Sequence, residues 1–455
     1  MSAWRVENLV YTFLKWWLYG LVLRECRESV VIRFVRFWQH VGLFSAQLLL
    51  SVLLFWPVHA IAASSEGALQ LSGFASFGAG KLSRDDAPFL NYTEDWSFRS
   101  DTIVGGQAQY QFTNRWSSTI QVVARGFTFD DNDKFDPVLE WLFTSFQWSP
   151  ETRFRLGRMR TPLYLFSDSL EIGYAYPWVR PPVDIYSYLL APLANFDGVD
   201  FSTNVDFGEA DLDVQVFAGV SSGTYIDFDI ELHPIFGVNF VSHWDSLTLR
   251  YGLTLGYTDA DSEALSAFAS NYDSLASQIP IFKEIRDSHE TKDELFQYHA
   301  VGLQWDYENW TVISEAYATV GPGKDFSNDA KGWYVSFTKQ IQGFAPYIVF
   351  GYYKNEFSDD IASLIEASKI DYPVGDPEPW RAQLDGLREL NLQILDDFNE
   401  KGRSYTVGVR YDFHQNADFK VEVEYFDSTS QLTRSGLGDT KQDAVLLSMV
   451  VDVVF

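Results

Sequence analysis

The chain of 455 residues has a single cysteine, Cys26, only three methionines, and 34 Lys+Arg against 62 Asp+Glu, a formal net charge of −28. One thiol excludes a disulfide framework and a cysteine-ligated metal centre. The acidic balance removes the basic face that binding to nucleic-acid phosphates requires, so no nucleic acid is expected as a partner. Histidine is sparse too. Past residue 62 only His233, His243, His289, His299 and His414 remain, and no two stand at metal-ligand spacing. No metal and no cofactor are therefore expected. Beyond residue 62 there is also no apolar run long enough for a membrane-spanning helix.

The long apolar run lies near the start. Residues 43–56, LFSAQLLLSVLLFW, follow Arg33 and Arg36 and precede PVHAIAASS, in which Ala60 and Ala62 make a small-x-small cleavage pattern. That order is charged region, apolar region and cleavage region of a secretory signal peptide. The run is shorter than the ~18 residues of a spanning helix, and no stop-transfer charges follow. Residues 1–62 are read as a signal peptide cleaved after Ala62, and 63–455 as the mature domain. The part before Arg33, with VYTFLKWWLYGLVL and VVIRFVRFW, is too long and apolar for an ordinary leader. A start site placed upstream of the real one accounts for it; a second membrane segment is the alternative. Residues 1–62 hold six Lys+Arg and three Asp+Glu, which leaves 28 against 59 in the mature part, a net −31.

What the mature part does have is alternation. Tyr405, Val407, Val409, Tyr411 and Phe413 stand opposite Thr406, Gly408, Arg410 and Asp412; Val421, Val423 and Tyr425 stand opposite Lys420, Glu422 and Glu424. Period two means strands with one apolar and one polar face. Sixteen such segments can be laid out, near 69–80, 98–112, 116–129, 138–148, 152–160, 196–206, 211–222, 233–242, 247–258, 295–306, 310–320, 331–340, 344–357, 403–413, 417–428 and 441–455. At about 9–14 residues they match tilted membrane-crossing strands rather than the ~5–6 residues usual in soluble sheets. Every second connection is tight (TNR, SPE, FGEA, HWDS, YEN, IQG and HQNA), while the others are long and polar. Trp116, Trp148, Trp244 and Trp310 flank four of the tight turns, at the depth where an indole keeps its ring in lipid and its N–H among headgroups. The fold class expected is all-β, a transmembrane antiparallel β-barrel of about sixteen strands with short turns on one side and long loops on the other.

In the last strand Val445, Leu447, Met449, Val451, Val453 and Phe455 share one face, and Ser448 and Asp452 the other. A terminal strand of this kind ending in phenylalanine resembles the assembly-signal strand of Gram-negative outer-membrane porins, although Val453 stands where those porins usually have an aromatic. LGRMRTPLY, at the junction of the fifth strand with the third long loop, is similar to the corresponding junction of that superfamily. The resemblance implies an outer-membrane channel. It also implies a third loop folded into the lumen, a homotrimer, contact with outer-membrane lipid and lipopolysaccharide, and recognition of Phe455 by the barrel assembly machinery.

The fifth strand carries the chain's densest positive charge, RFRLGRMR at 153–160. With Phe154 and Leu156 facing lipid, Arg153 and Arg155 face the lumen; Arg158 and Arg160 then have the opposite parity, unless Gly157 marks a bulge. Without the bulge they lie at the outer rim. Arg99 and Arg125 on neighbouring strands and Asp168, Glu171 and Asp184 of the loop complete the expected constriction. An arginine row facing carboxylates would impose a transverse field on a solute; the same charges, paired, would brace the loop against the wall. Tyr164, Tyr174, Tyr176 and Trp178 in that loop offer rings on which a sugar could stack, and Pro177, Pro181 and Pro182 stiffen it.

Selectivity is read from the predicted lumen positions Glu140, Asp200, Asp213, Arg250, Asp306, Glu315, Arg410, Lys420, Glu422 and Glu424. Carboxylates outnumber bases there, which favours cations. Val312, Ser314, Ala316 and Ala318 form a small-residue face suited to a trimer contact. Helical spacing of Leu384, Leu387, Asn391, Ile394 and Phe398, and a similar pattern over 261–277, place short helices in two long loops. Gly219-Val220-Ser221-Ser222-Gly223 has the letters of a nucleophile elbow without the strand–turn–helix context, and no enzyme is expected. The reading is a passive channel for small hydrophilic solutes with mild cation preference. The alternatives are a channel whose third loop binds a particular sugar, organic acid or anion, and a barrel whose pore is incidental, which a near-closed lumen would favour.

Overall fold

The computed structural model describes residues 67–84, 89–127, 135–186, 194–225, 228–277, 280–289, 291–321, 328–357, 359–368, 384–392, 400–428 and 442–455. The expected signal peptide lies outside them. Sixteen antiparallel strands form a closed barrel in which each strand pairs with its neighbours in sequence and the last returns to the first. They are β1 Ala68–Leu82, β2 Ile103–Gln111, β3 Trp116–Arg125, β4 Val138–Gln147, β5 Thr152–Arg160, β6 Asn195–Asp206, β7 Asp211–Tyr225 and β8 Phe228–Trp244. The second half is β9 Leu247–Asp261, β10 Thr291–Tyr307, β11 Trp310–Val320, β12 Asn328–Lys339, β13 Phe344–Phe357, β14 Glu400–His414, β15 Ala417–Ser428 and β16 Gln442–Val454.

Closure runs from Phe74 opposite Val454 to Leu82 opposite Leu446, so neither terminal strand leaves an unpaired edge, as hydrocarbon requires. All sixteen expected strands are present, in order. β7 and β8 reach further than the alternation suggests, to Tyr225 and from Phe228, so only residues 226 and 227 separate them where a polar loop was expected. Ser221 therefore lies within a strand, its hydroxyl donating to the Asn195 carbonyl at 2.7 Å, and no elbow forms.

The outer face is apolar. Leu142, Leu156, Val199, Val220 and Val301 are each at least half exposed, because the surface they meet is lipid, whereas Glu140, Asp200, Glu315, Lys420, Glu422 and Glu424 are buried on the inner side. Trp116, Trp148, Trp244 and Trp310 are exposed beside the tight turns, forming a girdle with Phe207, Tyr307, Phe344 and Phe413. This is the architecture of a barrel that spans an outer membrane. Among the described residues, the long-loop side carries the helices α1 Glu263–Ala269, α2 Asp273–Ala276, α3 Pro280–Ser288, α4 Asp359–Ala367 and α5, residues 384–392. α3 to α5 pack on each other through Phe282, Ile285, Leu364, Leu384 and Leu387. Asn391 of α5 is buried and donates to the Tyr272 hydroxyl, while its carbonyl oxygen lies 2.8 Å from His289 Nε2. Ile394 and Phe398 lie outside the described residues.

Val301 faces outward near the middle of its strand, so Val301→Arg is expected to cost ~2–4 kcal/mol in a bilayer, read from the urea midpoint of barrel refolded into lipid vesicles. Gln304→Arg, inward on the same strand, is expected to cost less than half as much. Equal losses at the two positions would overturn this assignment of inside and outside.

Candidate functional site

The lumen holds a second, unusual core. The segment from Thr161 to Tyr186 leaves β5, folds inside the barrel through two single 3-10 turns, Ser167–Ser169 and Gly173–Ala175, and is packed against the wall. Leu163, Tyr164, Tyr176, Trp178 and Ile185 of the loop are buried with Phe196, Phe217, Tyr298, Tyr317, Tyr334, Tyr347 and Val349 of the strands. The inward face of this barrel thus carries tyrosines that alternation alone cannot tell from a wet lumen.

Charge pairs fix the start of the loop. Glu171 accepts from Arg125 Nε at 2.9 Å and from Arg160 at 2.7 Å, and Glu140 lies against the same two arginines and takes the Asn195 side-chain amide at 2.9 Å. Burial alone would raise the Glu171 carboxyl, but the two arginine charges and their hydrogen bonds outweigh it and hold it at about 2. Arg155 pairs with Asp200 at 2.8 Å. Arg250 reaches across to the carbonyls of Pro162 and Leu163.

The middle of the loop rests on the opposite wall. Lys420, fully buried, donates to the Gly173 carbonyl at 2.6 Å and pairs with Asp452 at 2.9 Å. Arg410 donates to the carbonyls of Tyr174 and Tyr176 and pairs with Asp418. Arg180 is the hub: it binds Asp101 at 2.6 Å, Glu422 and Glu424 at 3.2 Å each, and the Ser448 hydroxyl at 2.5 Å. The Trp178 indole donates to Ser336 Oγ at 2.9 Å. Glu315 accepts from the Leu165 N–H, the Tyr186 hydroxyl and the Tyr334 hydroxyl at 2.7, 2.5 and 2.9 Å. Near the far end, Asp184 accepts from the Ser404 hydroxyl at 2.5 Å. Its recess exists because residue 351 is glycine, where a Cβ would lie 2.0 Å from the Asp184 carboxylate. With burial outweighing that hydrogen bond, the Asp184 carboxyl rises to about 7. A cavity of about 10 Å³ between Arg180, Pro182, Val349, Glu422 and Glu424 has room for roughly one water molecule.

The residues expected at a constriction divide accordingly. Arg125, Arg160, Glu171 and Asp184 are brought into the loop–wall contacts, whereas Arg155 pairs within the wall, with Asp200 of β6. Arg153 and Asp168 stay exposed. Arg99 is not on a strand; it precedes β2, is exposed, and lies with its guanidinium 3.5 Å from the Gly126 carbonyl. Gly157 marks no phase-shifting bulge, since pairing of β5 with β6 runs unbroken through it from Thr152 to Arg160. Its φ of +134° and its closeness to the Leu142 carbonyl, 2.1 Å from a Cβ, exclude any other residue there. Arg158 therefore faces outward, paired with Asp197 at 2.7 Å, while Arg160 turns inward because the strand ends at it. The rings are largely covered: Trp178 meets Tyr176, Phe166 and Tyr334, Tyr164 meets Tyr186 and Tyr298, and the Arg410 guanidinium lies 4.6 Å from the centre of the half-buried Tyr174 ring. Arg180, Arg250 and the Asp418–Lys420–Asp452 group carry more of the anchoring than the arginine run does. Arg180 was not among the residues singled out from the sequence, where its one signal is a lone arginine flanked by prolines, PWVRPP.

Comparison with known proteins rests on structure, since no protein-family model and no curated protein sequence matches the chain. The outer membrane channel DcaP of Acinetobacter baumannii superposes over 88% of this chain and 100% of its own, with TM-score 0.52 and 11% identity. The anion-selective porin from Comamonas acidovorans does so over 86% and 100%, with TM-score 0.50 and 9% identity. The fold is that of the outer-membrane porins. Within it, the third loop of this chain is held by residues of seven strands, β3, β9, β11, β12, β14, β15 and β16.

Two predictions concern the loop. Glu171→Gln leaves two buried arginines sharing Glu140 and is expected to cost ~3 kcal/mol, seen as faster proteolytic nicking within 161–186 while the barrel stays closed. The pH profile has two opposite contributions. Asp184, raised from 3.8 to about 7, adds stability that is full below pH 3.8 and lost as pH rises through 7; Glu171, lowered from 4.5 to about 2, adds stability present above pH 4.5 and lost toward pH 2. Loop protection is expected to rise between pH 8 and pH 5, and Asp184→Asn to flatten that rise.

Proposed function

We propose that the chain is an outer-membrane porin of narrow bore, a passive channel for small hydrophilic solutes in which the 161–186 loop is a fixed constriction rather than a mobile gate. The observation that carries this is the anchoring of one loop to β3, β9, β11, β12, β14, β15 and β16 by ion pairs and hydrogen bonds. Such a loop holds a fixed shape, which passive sieving requires, and does not spend the binding energy of a solute on ordering itself. Acidic excess on the inner face supports mild cation preference. No enzyme activity is proposed, since Ser221, the candidate nucleophile, is an ordinary strand residue.

The solute-binding alternative is weakened by the covering of Tyr164, Tyr176 and Trp178, which have little face left for a sugar. Residues 1–62 are proposed to be the export signal. Phe455 is proposed as the contact for the barrel assembly machinery, with lipopolysaccharide around the outer rim and three copies meeting through the outward face of Val312, Ser314, Ala316 and Ala318.

The test is single-channel conductance of the refolded mature chain in a planar bilayer, with reversal potential under a salt gradient. Small ohmic steps with modest cation selectivity, unaffected by sugars and enlarged in Glu171→Gln, are the expected result. Saturable block by one solute class would instead favour the specific channel. Silence from folded wild-type barrel, with conductance appearing only when the loop is loosened, would favour a closed barrel whose pore is incidental.

A further inference from the structure

At the long-loop end of the barrel, two β-bulges flank β9 at one height. Pairing of β8 with β9 slips between Leu232 and Ile235, and pairing of β10 with β9 slips between Thr291 and Glu294. The first slip frees His233 from the regular ladder. The second frees Asp293, whose φ of +53° is a conformation that a non-glycine residue adopts at a cost. Both side chains reach Asp259 on the strand between them. Among the described residues, these three alone bring three metal-capable groups within reach of a common ion, with ligand atoms all within 4.8 Å of one another.

We propose that His233, Asp259 and Asp293 bind one divalent transition-metal ion of the zinc class. His233 Nε2 and Asp259 Oδ2 are 3.4 Å apart. That is long for a hydrogen bond between them, yet it is the edge of a tetrahedron built on metal bonds of ~2.0–2.2 Å, which gives ~3.4 Å between ligand atoms. The other Asp259 oxygen accepts the Asp293 backbone N–H at 2.6 Å, which orients the carboxylate and leaves Oδ2 for the ion. His233 Nδ1 is shielded from solvent and makes no hydrogen bond, the nearest carboxylate, Glu231, being 3.8 Å away, so the ring is free to turn Nε2 toward the ion. One imidazole and two carboxylates suit zinc, manganese or nickel better than the all-oxygen set that calcium takes; water would complete the shell.

The location gives the ion a task. Asp259 continues the outward face of β9 beyond the exposed Tyr251 and Tyr257, so the site lies on the outside of the barrel, past the lipid-facing band. β9 and β10 are the two ends of the segment that carries α1, α2 and α3. An ion bound there ties three strands together at the base of that segment and limits how far its helices can swing. Sequence spacing gave no sign of it, because the three ligands come from three different strands and meet only after both bulges have formed.

The experiment uses refolded mature barrel in detergent, stripped with chelator, and titrated with Zn²⁺ against a chromogenic indicator. The expected result is one equivalent per chain with micromolar or tighter affinity, weakened at least about tenfold in His233→Gln and in Asp259→Asn. Each variant is first checked for the wild-type heat-modified gel shift of a folded barrel. Zn²⁺ is further expected to slow proteolysis within 262–290 in the wild type and not in His233→Gln. No stoichiometric uptake, uptake unchanged in both variants, or uptake matched by Mg²⁺ at equal concentration would each overturn the proposal, the last by reducing the site to a diffuse acidic surface.

Discussion

A strand edge left open in hydrocarbon has no water to satisfy its N–H and carbonyl groups, and everything else in this barrel follows from the pairing of β1 with β16. Once the sheet closes, inside and outside are fixed for every residue by parity alone. The outward half of each strand must then be apolar regardless of what the protein does. The inward half is released from that demand. In this chain it is used to hold a loop, with carboxylates, arginines and tyrosines placed wherever the loop's own polar groups come to rest.

Burying so many charges is expensive unless each finds a partner, and the partners here belong to different segments of the chain. Arg180 binds acidic groups from the first long loop and from β15, and a hydroxyl from β16; Lys420 shares Asp452 with the hydroxyl of Ser76. These ties link the two ends of the closed sheet through the lumen as well as along its seam. The positive charge concentrated in β5, puzzling in so acidic a chain, is one part of this arrangement: Arg155 and Arg160 meet Asp200, Glu140 and Glu171, while Arg158 meets Asp197 outside.

The strands were legible in the sequence because their signal is local: period two, lengths suited to a tilted crossing, and tryptophans at tight turns. The direction of the arginines was only half legible. Arg153 and Arg155 followed from parity, whereas the fates of Arg158 and Arg160 depended on where β5 ends and on whether Gly157 shifts the phase, which only pairing with β6 decides. Glu171 and Asp184 could be named as loop acids and Arg125 as one of the bases facing them, but which acid meets which base could not, and Ser404, 220 positions from Asp184, gave no signal. The role of Arg180 and the meeting of His233 with Asp293 depend on long-range packing and on bulges, and neither leaves a period in the sequence.

The recess that Gly351 leaves for Asp184, the hydroxyl that Ser404 offers it, and the three donors around Glu315 together make the loop and the wall a single interlocked surface. In such a barrel the pore cannot be redesigned one loop at a time. A third loop transplanted from another barrel would arrive without its recesses and counter-charges, leaving this wall's carboxylates and arginines buried and unpaired. A change of bore would therefore require coordinated exchanges on many strands, because each recess and counter-charge on the wall is shaped for this one loop.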